Sequence, residues 1–395
     1  MEILEELLVL DLSQIMAGPL CSMILGDMGA KIIKVEPPEG DVSRHMGDTF
    51  LHEQSDYFLS LNRNKRSIVI DLKQGEGKEI FYQLVKKADL VLENFRPGTA
   101  EKLGVDYATL SQLNPNLIYC SISGFGQNGP YKDRPAMDPI IQALGGIMGI
   151  TGDSQVGPLK VGAPISDFIA SLLATIGILG ALYVREKTGR GQKIEISMLD
   201  GIIFSLIPRE QYYFIRKKTL PLLGNQHYQI APCNTFQTKD GAHKMVIVHS
   251  EKHWQNFCQG LGLMDLAEDE RFKTNSDRLK NLPLLNEILE KIFAEKTQQE
   301  WVDCLSKKGI MVAPVYNLEE VFQDPQVGHD EMVTELDHPV AGKFKILRTP
   351  IELSETPLRI KSPPPLLGQH TKEILFELGY SPEVVEQLNW KGIVK

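Results

Sequence analysis

One carboxylate in this chain stands where an anion would be both stabilised and chemically useful. Segment 161–168 reads VGAPISDF and places Asp167 beside a long apolar run, for which the pattern predicts a helix over 168–184. At the start of a helix an anion faces unpaired backbone N–H groups and the positive end of the helix dipole. We therefore expect Asp167 to be ionised and able to act as a nucleophile. A helix cap formed by Ser166 or Asp167 would satisfy the same pattern.

The first half of the chain carries the elements that must position this carboxylate. Short apolar runs alternate with amphipathic segments such as 77–88, in which apolar residues recur three and four positions apart. The predicted strands are 7–12, 31–36, 67–72, 89–93, 117–122 and 193–197. This alternation is typical of an α/β protein with a Rossmann-like, open parallel sheet, in which ligands bind beyond the carboxyl ends of the strands.

The second half of the chain has a different pattern, beginning at the turn-rich segment 220–226, which predicts a linker into a smaller α+β domain. The predicted elements are a strand at 245–248, helices at 252–261 and 284–308, a hairpin from about 331 with its turn at 339–342, and an amphipathic helix at 371–378. We expect this last helix, which follows a proline-rich segment at 361–368, to pack back on the first domain.

Composition narrows the class of protein. The 395 residues carry a net charge of -9 at pH 7, with 42% hydrophobic residues, which is typical of a globular protein without a nucleic-acid partner. Five scattered cysteines lack the spacing of metal ligands, so we expect reduced thiols and no metal site. The acidic segment 1–6 lacks the basic start of a signal peptide, and we interpret 168–184 as a buried helix and not a membrane span. A cytoplasmic location with no membrane partner is therefore expected.

A glycine motif that could indicate a dinucleotide site does not have the right context. Segment 124–129 (GFGQNG) fits G-x-G-x-x-G and follows a predicted strand. Segment 130–135 (PYKDRP) comes next, however, so no helix N-terminus is available for a pyrophosphate. We predict no NAD binding and expect these glycines to let a loop pass close to a ligand or a neighbouring backbone.

Ten short motifs, spread in order along nearly the whole chain, carry a family resemblance. They are DLSQIMAGP (11–19), GAKIIKVEPP (29–38), NKRS (64–67), ENFRPG (93–98), SGFGQNGP (123–130), TGRGQ (188–192), GNQH (224–227), DPQV (324–327), DHPVAG (337–342) and PPPLLGQH (363–370). Together they resemble the class III CoA-transferases, the CaiB/BaiF group. That family includes formyl-CoA transferase and succinyl-CoA-dependent dicarboxylate CoA-transferases.

The resemblance implies a reaction and a nucleophile. In that family the Asp that matches Asp167 is the catalytic nucleophile. Its attack on an acyl-CoA thioester gives a mixed anhydride, the CoA thiolate returns to form an aspartyl-CoA thioester, and an incoming acid repeats the steps in reverse. Coenzyme A esters and carboxylic acids are therefore the expected substrates, and no tightly bound cofactor or metal is implied.

The resemblance also implies where coenzyme A binds, because an acidic protein must concentrate positive charge around the phosphates. The implied CoA-binding residues are Met16, Ala17, Asp71, Leu72, Lys73, Asn94, Phe95, Arg96, Lys102, Arg134, Met137 and Asp138. Two positions depart from formyl-CoA transferase: Met16 stands where that enzyme has Gln, and Pro37 replaces an Arg that contacts CoA. These departures argue against formyl or oxalyl transfer.

The same fold houses the α-methylacyl-CoA racemases, which define an alternative function. A racemase removes and returns the α-proton with two side chains, one of them a His in a Gly-His-Asp motif. The matching residues here are Ala136, Met137 and Asp138, and methionine carries no exchangeable proton. We therefore favour a transferase. An inactive acyl-CoA-binding homologue is a second alternative, which we would expect only if Asp167 were absent.

The resemblance implies an interlocked homodimer, in which two ring-shaped subunits pass through each other. The large domain would comprise 1–197 and a C-terminal return at 351–395, the linkers would be 198–225 and 321–350, and the small domain would be 226–320. Asn225, Gln226 and His227 could form a lid over the nucleophile or reach a distal carboxylate of the acyl group. A plain linker with a surface histidine fits the same residues.

Overall fold

The computed structural model describes residues 2–395, whose packing divides the chain into two units. The first unit contains the chain up to Met148, then Lys160–Arg216 and Gly328–Lys395. The second unit contains Gly149–Leu159 and Lys217–Val327. The predicted small domain, 226–320, lies inside the main segment of the second unit. The predicted first linker, 198–225, is partly helical.

The strands, in chain order, are short and mostly buried in the first half of the chain. They are β1 (Leu8–Asp11), β2 (Lys31–Glu36), β3 (Phe50–Leu51), β4 (Gln54–Ser55), β5 (Lys65–Val69), β6 (Leu90–Glu93), β7 (Ile118–Ser123), β8 (Gly152–Asp153), β9 (Gly157–Pro158), β10 (Lys193–Ser197), β11 (Cys233–Gln237), β12 (His243–Ile247), β13 (Met311–Pro314), β14 (Val333–His338) and β15 (Gly342–Leu347).

The helices are distributed along the whole chain. They are α1 (Ala17–Asp27), α2 (Asp56–Leu61), α3 (Gly75–Lys87), α4 (Thr99–Leu103), α5 (Tyr107–Leu113), α6 (Asp138–Leu144), α7 (Ile165–Thr188), α8 (Met198–Phe204), α9 (Glu210–Arg216), α10 (Glu251–Leu261), α11 (Met264–Glu268), α12 (Asn275–Lys280), α13 (Leu282–Phe293), α14 (Gln298–Ser306), α15 (Leu318–Gln323), α16 (Pro325–His329), α17 (Thr371–Glu377) and α18 (Pro382–Trp390). Short 3₁₀ turns lie at Val42–His45 and Met148–Ile150.

The first unit is built on a six-stranded, fully parallel sheet in the order β10-β7-β6-β1-β2-β5. Counted along the chain this is the Rossmann order, which reverses between β1 and β6. The predicted parallel sheet is confirmed, and all six predicted strands are present. The strand predicted at 67–72 lies earlier, at Lys65–Val69, because Ile70 bridges to Val394 and the Asp71 N–H bonds to the Ile393 carbonyl oxygen at 2.9 Å. Residues near the C-terminus therefore pair with the chain directly after β5.

Both faces of the sheet are covered at its central strands β1, β6 and β7, which explains why these strands read as apolar runs. Successive residues of β1 point to opposite faces: Val9 packs in one hydrophobic cluster and Leu10 in the other. Ile374 and Leu375 of α17, the helix predicted at 371–378, pack in the same cluster as Leu10. The predicted hairpin is also present, as β14 and β15.

Helix α7 starts earlier than predicted, and this changes the position of Asp167. The helix begins at Ile165 instead of 168, so Asp167 lies inside its first turn. Pro164 precedes the helix, and no side chain caps it. The capping interpretation of Ser166 and Asp167 is therefore wrong. Proline and the apolar Ile165 are compatible with a first helical turn, which the search for a polar cap overlooked.

The prediction that this helix is buried holds for one face only. The buried face carries small residues such as Ala170 and Ala174, which allow close packing. On the other face Phe168, Leu172 and Ile176 are 45%, 40% and 65% exposed. By length and composition α7 could span a membrane, although 39% of its most apolar window is buried inside the protein.

The second unit packs its helices on a three-stranded antiparallel sheet in the order β11-β12-β13. The strand predicted at 245–248 is β12, and the helix predicted at 252–261 is α10. The single helix predicted at 284–308 is wrong, because two helices, α13 and α14, occupy this range. Thr297 starts the second of them with a capping box to Glu300, which interrupts the apolar periodicity.

Candidate active site

The loop between β1 and α1 lies where the strand order reverses, which is the usual ligand-binding edge of such a sheet. Asn94, which directly follows β6, holds this loop with two hydrogen bonds. Its side-chain oxygen accepts from the Gln14 N–H, and its side-chain nitrogen donates to the Gln14 carbonyl oxygen, both at 2.8 Å. Met16 and Ala17 continue from this loop into the first turn of α1. Met16, Ala17 and Asn94, which the resemblance implied, therefore lie at the same edge of the sheet.

The N-terminal part of α7 is tied to the start of α1. The Ser171 hydroxyl donates to the Ala17 carbonyl oxygen at 2.6 Å and to the Asp167 carbonyl oxygen at 2.7 Å. Asp167 is partly buried. Its carboxylate accepts no hydrogen bond from residues 2–395, so both oxygen atoms remain available for chemistry. The candidate nucleophile therefore lies beside the loop that the resemblance assigns to coenzyme A.

Asp138 supports this arrangement from the start of α6. Its buried carboxylate accepts hydrogen bonds from the Ser166 N–H at 2.8 Å, from the Ser166 hydroxyl, and from the Gln142 side-chain amide at 2.7 Å. The two contacts with Ser166 join α6 to the first turn of α7, and the contact with Gln142 lies within α6. Asp138 therefore fixes the turn that carries Asp167. The adjacent Met137 is 61% exposed.

The electrostatics of Asp167 differ from the sequence expectation. Burial, and then the nearby charge of Asp138, raise the pKa of the Asp167 carboxyl to about 7. The helix N-terminus favours the anion, but desolvation and a like charge outweigh it. The expectation of a fully ionised carboxylate is therefore wrong.

Tyr57 of α2 is a member of this site that the sequence reasoning missed. Burial, and then the charges of Asp167 and Asp138, raise the pKa of its hydroxyl. The hydroxyl lies 4.0 Å from the Met16 sulfur. Tyr57 stands outside all ten motifs, and its proximity depends on how α2 packs against α1. No local pattern pointed to it.

The segment that follows β6 presents an exposed cation. The Glu93 carboxylate accepts from the Phe95 N–H at 2.6 Å, which turns the chain directly after the strand. Phe95 packs against the sheet core, and Arg96 projects into solvent. Lys102 is exposed on the short helix α4 that follows. Within residues 2–395 neither cation forms an ion pair, so both are free to meet phosphate groups.

The remaining predicted CoA-binding residues are more widely spread. Asp71, Leu72 and Lys73 follow β5 at the same edge of the sheet, three strand spacings from β6, or roughly 14 Å. The Asp71 carboxylate accepts from the Lys73 N–H at 2.9 Å, and Leu72 packs on the core. The Arg134 guanidinium stacks on the Tyr131 ring, 3.7 Å from its centroid. Such a spread suits a long ligand and not a compact one.

A cavity of about 290 Å³ lies beside the segment after β6. It is lined by Pro97, Gly98, Glu101, Gln127, Asn128, Lys132, Asp133, Lys193 and Glu195. The glycine-rich loop that follows β7 forms one wall. A Cβ atom on Gly124 would lie 2.1 Å from the Ala136 Cβ, so this glycine permits a close approach within the loop, as predicted. The loop leads to α6 only at Asp138, so no helix follows the glycines directly.

The three residues predicted as a lid belong to the second unit. The Asn225 side-chain amide donates to the Thr235 hydroxyl at 2.8 Å, and the His227 ring stacks on Tyr228 with 4.9 Å between centroids. Gln226 bonds through its N–H to the Leu223 carbonyl oxygen. In the described part of the chain no group of three or more His, Cys, Asp or Glu side chains is placed to hold a metal ion.

Fold and site together define a doubly wound α/β protein with an unpaired, partly buried carboxylate near its strand-order reversal. Residues 4–371 match the CoA-transferase family III. The chain belongs to this family and is a CoA-transferase.

Several named proteins are similar over nearly the full length. The chain is 36% identical over 397 residues to the succinyl-CoA:glutarate CoA-transferase of Mus musculus, covering 100% of this chain and 91% of that protein. It is 38% identical over 386 residues to the succinyl-CoA:mesaconate CoA-transferase of Haloarcula hispanica, covering 95% and 96%. Among solved structures, a CaiB/BaiF family protein from Brucella suis matches with a TM-score of 0.87 at 37% identity, covering 95% and 98%.

Proposed function

We propose that this CoA-transferase moves coenzyme A from succinyl-CoA to a dicarboxylic acid through covalent intermediates on Asp167. The observation that carries the proposal is the Asp167 carboxylate itself. It is partly buried, accepts no hydrogen bond within residues 2–395, and lies in the turn that Ser171 joins to Ala17. A carboxylate used only for structure would be expected to have hydrogen-bond partners, as Asp138 does.

The reaction proceeds by four acyl transfers. The Asp167 carboxylate attacks the thioester carbonyl, the C–S bond breaks, and a mixed anhydride and the CoA thiolate form. The thiolate attacks the aspartyl carbonyl of the anhydride, which releases the donor acid and leaves an aspartyl-CoA thioester. The acceptor carboxylate then attacks this thioester and expels the thiolate. Attack of the thiolate on the acceptor acyl carbon finally gives the new acyl-CoA and regenerates the Asp167 carboxylate.

The environment of Asp167 supports this role. A carboxylate with its pKa raised to about 7 is more basic than an ordinary one, and basicity increases nucleophilicity toward a carbonyl carbon. Partial burial also limits access of water to an anhydride, which would otherwise hydrolyse. Asn225, Gln226 and His227 remain our proposed lid, or alternatively a contact to the distal carboxylate of the acyl group.

The proposed substrates rest on the similar proteins. Both named relatives use succinyl-CoA, and their acceptors, glutarate and mesaconate, are dicarboxylic acids. Mass spectrometry of reactions that contain succinyl-CoA and a panel of dicarboxylic and monocarboxylic acids tests this proposal. We expect at least one dicarboxylate to become a CoA ester, with free succinate formed in equal amount. Hydrolysis of succinyl-CoA without formation of a new ester would contradict the proposal.

A racemase would exchange the α-proton of its substrate, and a deuterium experiment separates the two classes. We expect no label at the α-position of a 2-methylacyl-CoA incubated with the protein in deuterated water, because Met137 cannot relay a proton. Rapid uptake of label by the unmodified protein would favour the racemase. An inactive acyl-CoA-binding homologue would give neither exchange nor transfer.

The phosphates of coenzyme A are proposed to bind Arg96 and Lys102. Arg96→Ala and Lys102→Ala should each raise KM for the CoA ester roughly 5- to 150-fold, corresponding to about 1–3 kcal/mol for a charge-assisted hydrogen bond. Turnover at saturation should change much less, because such contacts stabilise ground state and transition state alike. Steady-state kinetics at low and high salt measure the effect. Lys218→Ala, which removes an exposed lysine of the second unit, is the control.

The proposed assembly is the interlocked homodimer, with the domain and linker limits predicted from the sequence. The exposed apolar face of α7 supports it, because Phe168, Leu172 and Ile176 recur every fourth residue and form one stripe. A second copy of the chain would remove this stripe from water. We also propose that the protein acts in the cytoplasm without a membrane or nucleic-acid partner.

A further inference from the structure

The loop of residues 13–15, which precedes Met16 and Ala17, is held by side chains at almost every backbone group. The Asp11 carboxylate accepts from the Ser13 N–H at 2.9 Å, and the Lys34 ammonium donates to the Ser13 carbonyl oxygen at 2.9 Å. Asn94 binds both backbone groups of Gln14. The Ile15 N–H donates to the Asp41 carboxylate at 3.1 Å. These contacts come from β1, from β2, from the residue after β6 and from the residue before the turn at Val42–His45, so the loop is determined by tertiary structure.

The conformation that these contacts maintain is strained. Ile15 has a φ of 67°, in the left-handed region that β-branched residues rarely adopt. Strain of this kind persists only where the surrounding structure over-determines it, and it is concentrated at functional sites. Here the strained residue immediately precedes Met16 and Ala17.

A buried ion pair supplies the contact to Ile15. The Lys34 ammonium and the Asp41 carboxylate lie 2.7 Å apart, and both side chains are almost completely buried. Although burial opposes ionisation, the Lys34 charge holds the pKa of Asp41 below its usual range. The Asp41 oxygen that accepts from Ile15 also accepts from the Ser43 N–H at 2.8 Å. A buried pair of this kind contributes geometry more than net stability.

We propose that Lys34 and Asp41 are positioning residues that hold Ile15 in its strained conformation and so place Met16 and Ala17 against the acyl-CoA thioester. The inference rests on the proposed function, because it assumes that the thioester lies between this loop and Asp167. No side chain caps α1, so the first N–H groups of that helix are also oriented by the loop. A relaxed loop would move these groups away from the reacting carbonyl.

Asp41→Ala should lower kcat by 30-fold or more and change KM for the CoA ester by less than threefold. In the Asp41→Ala background, Ile15→Gly should raise kcat at least tenfold, because glycine adopts positive φ without strain. Ile15→Gly by itself should have a smaller effect than Asp41→Ala. A purely structural role for Asp41 predicts no such rescue, and its absence would overturn the proposal.

Two further variants separate the proposed effect on kcat from a loss of folding stability. Lys34→Met combined with Asp41→Ala leaves no unpaired buried charge, so it should fold and show the same loss and the same rescue by glycine. Asp27→Ala breaks a comparable buried pair with Arg63, whose atoms lie 2.6 Å apart, far along α1 from its first turn. We expect it to lower the melting temperature while kcat stays within threefold.

Hydrogen exchange tests the loop without any substrate and separates the inference from the proposed function. Asp41→Ala should speed amide exchange in a peptide covering 13–17 at least tenfold, whereas Asp27→Ala should not. Unchanged exchange in Asp41→Ala would overturn the inference even if the transferase mechanism is correct. If Asp41→Ala exchanges faster and Asp167→Ala is fully active, the inference that Asp41 holds the loop is supported. The covalent mechanism on Asp167 is then wrong.

Discussion

Asp167→Ala is expected to lower kcat for CoA transfer by at least about 10³-fold while leaving the fold intact, because it removes the group that forms the covalent intermediates. The substitution should not disturb folding, since the Asp167 side chain neither caps α7 nor accepts a hydrogen bond within residues 2–395. Steady-state kinetics and circular dichroism measure the two properties. Near-normal turnover would show that the covalent mechanism is wrong.

A covalent adduct provides the direct test of the same prediction. The unmodified protein, incubated with an acyl-CoA and quenched, should carry a CoA-sized or acyl-sized mass on the peptide that contains Asp167, and Asp167→Ala should not. Asp200→Ala is the matched control. Asp200 occupies the same third helical position in α8 but is exposed, so its loss should change kcat by less than twofold.

The pH profile of kcat/KM should show an apparent pKa of about 7, because the nucleophile must be ionised and burial with the Asp138 charge raises the pKa of Asp167 to that value. Below this pH the rate constant should fall tenfold per pH unit, to roughly one hundredth at pH 5. An ordinary, exposed Asp would give a flat profile over the same range. A flat profile would mean that Asp167 is already ionised at pH 5 in the free enzyme.

Asp138→Asn tests the cause of that shift. Removal of the negative charge takes away one of the two causes that raise the pKa of Asp167, so the profile should move to lower pH. It should not return to the ordinary value, because burial remains. The asparagine oxygen can still accept from the Ser166 N–H, whereas the contact with the Gln142 amide nitrogen is lost. A profile that does not move would exclude Asp138 as a cause.

The same pKa has a consequence for stability that does not depend on substrate. A carboxyl whose folded-state pKa is raised is ionised in the unfolded chain before it is ionised in the native one, so ionisation favours unfolding. This destabilisation is absent below about pH 4, grows up to about pH 7, and stays constant above that. Asp167→Asn should therefore unfold at a higher temperature than the unmodified protein at pH 8 and at nearly the same temperature at pH 4.

Local sequence patterns were sufficient to predict the strands of the sheet but not the limits of several helices. Strand β2 was predicted at its observed limits because it is almost completely buried and appears as an apolar run of the right length. The prediction of one helix at 284–308 failed because a capping box at Thr297 starts a second helix within this range. The start of α7 was misplaced because Pro164 and Ile165 carry no polar cap signal.

The sequence by itself determined the family, the parallel sheet and the candidate nucleophile, because these depend on motifs and on periodicity within short segments. Only the tertiary structure decided the protonation of Asp167, the membership of Tyr57 in the site and the strained conformation of Ile15. Each of these depends on groups that are distant along the chain and close in space, such as Asp138 near Asp167 and Asp41 near Ile15. Desolvation and charge interactions act through space, and no local pattern of residues records them.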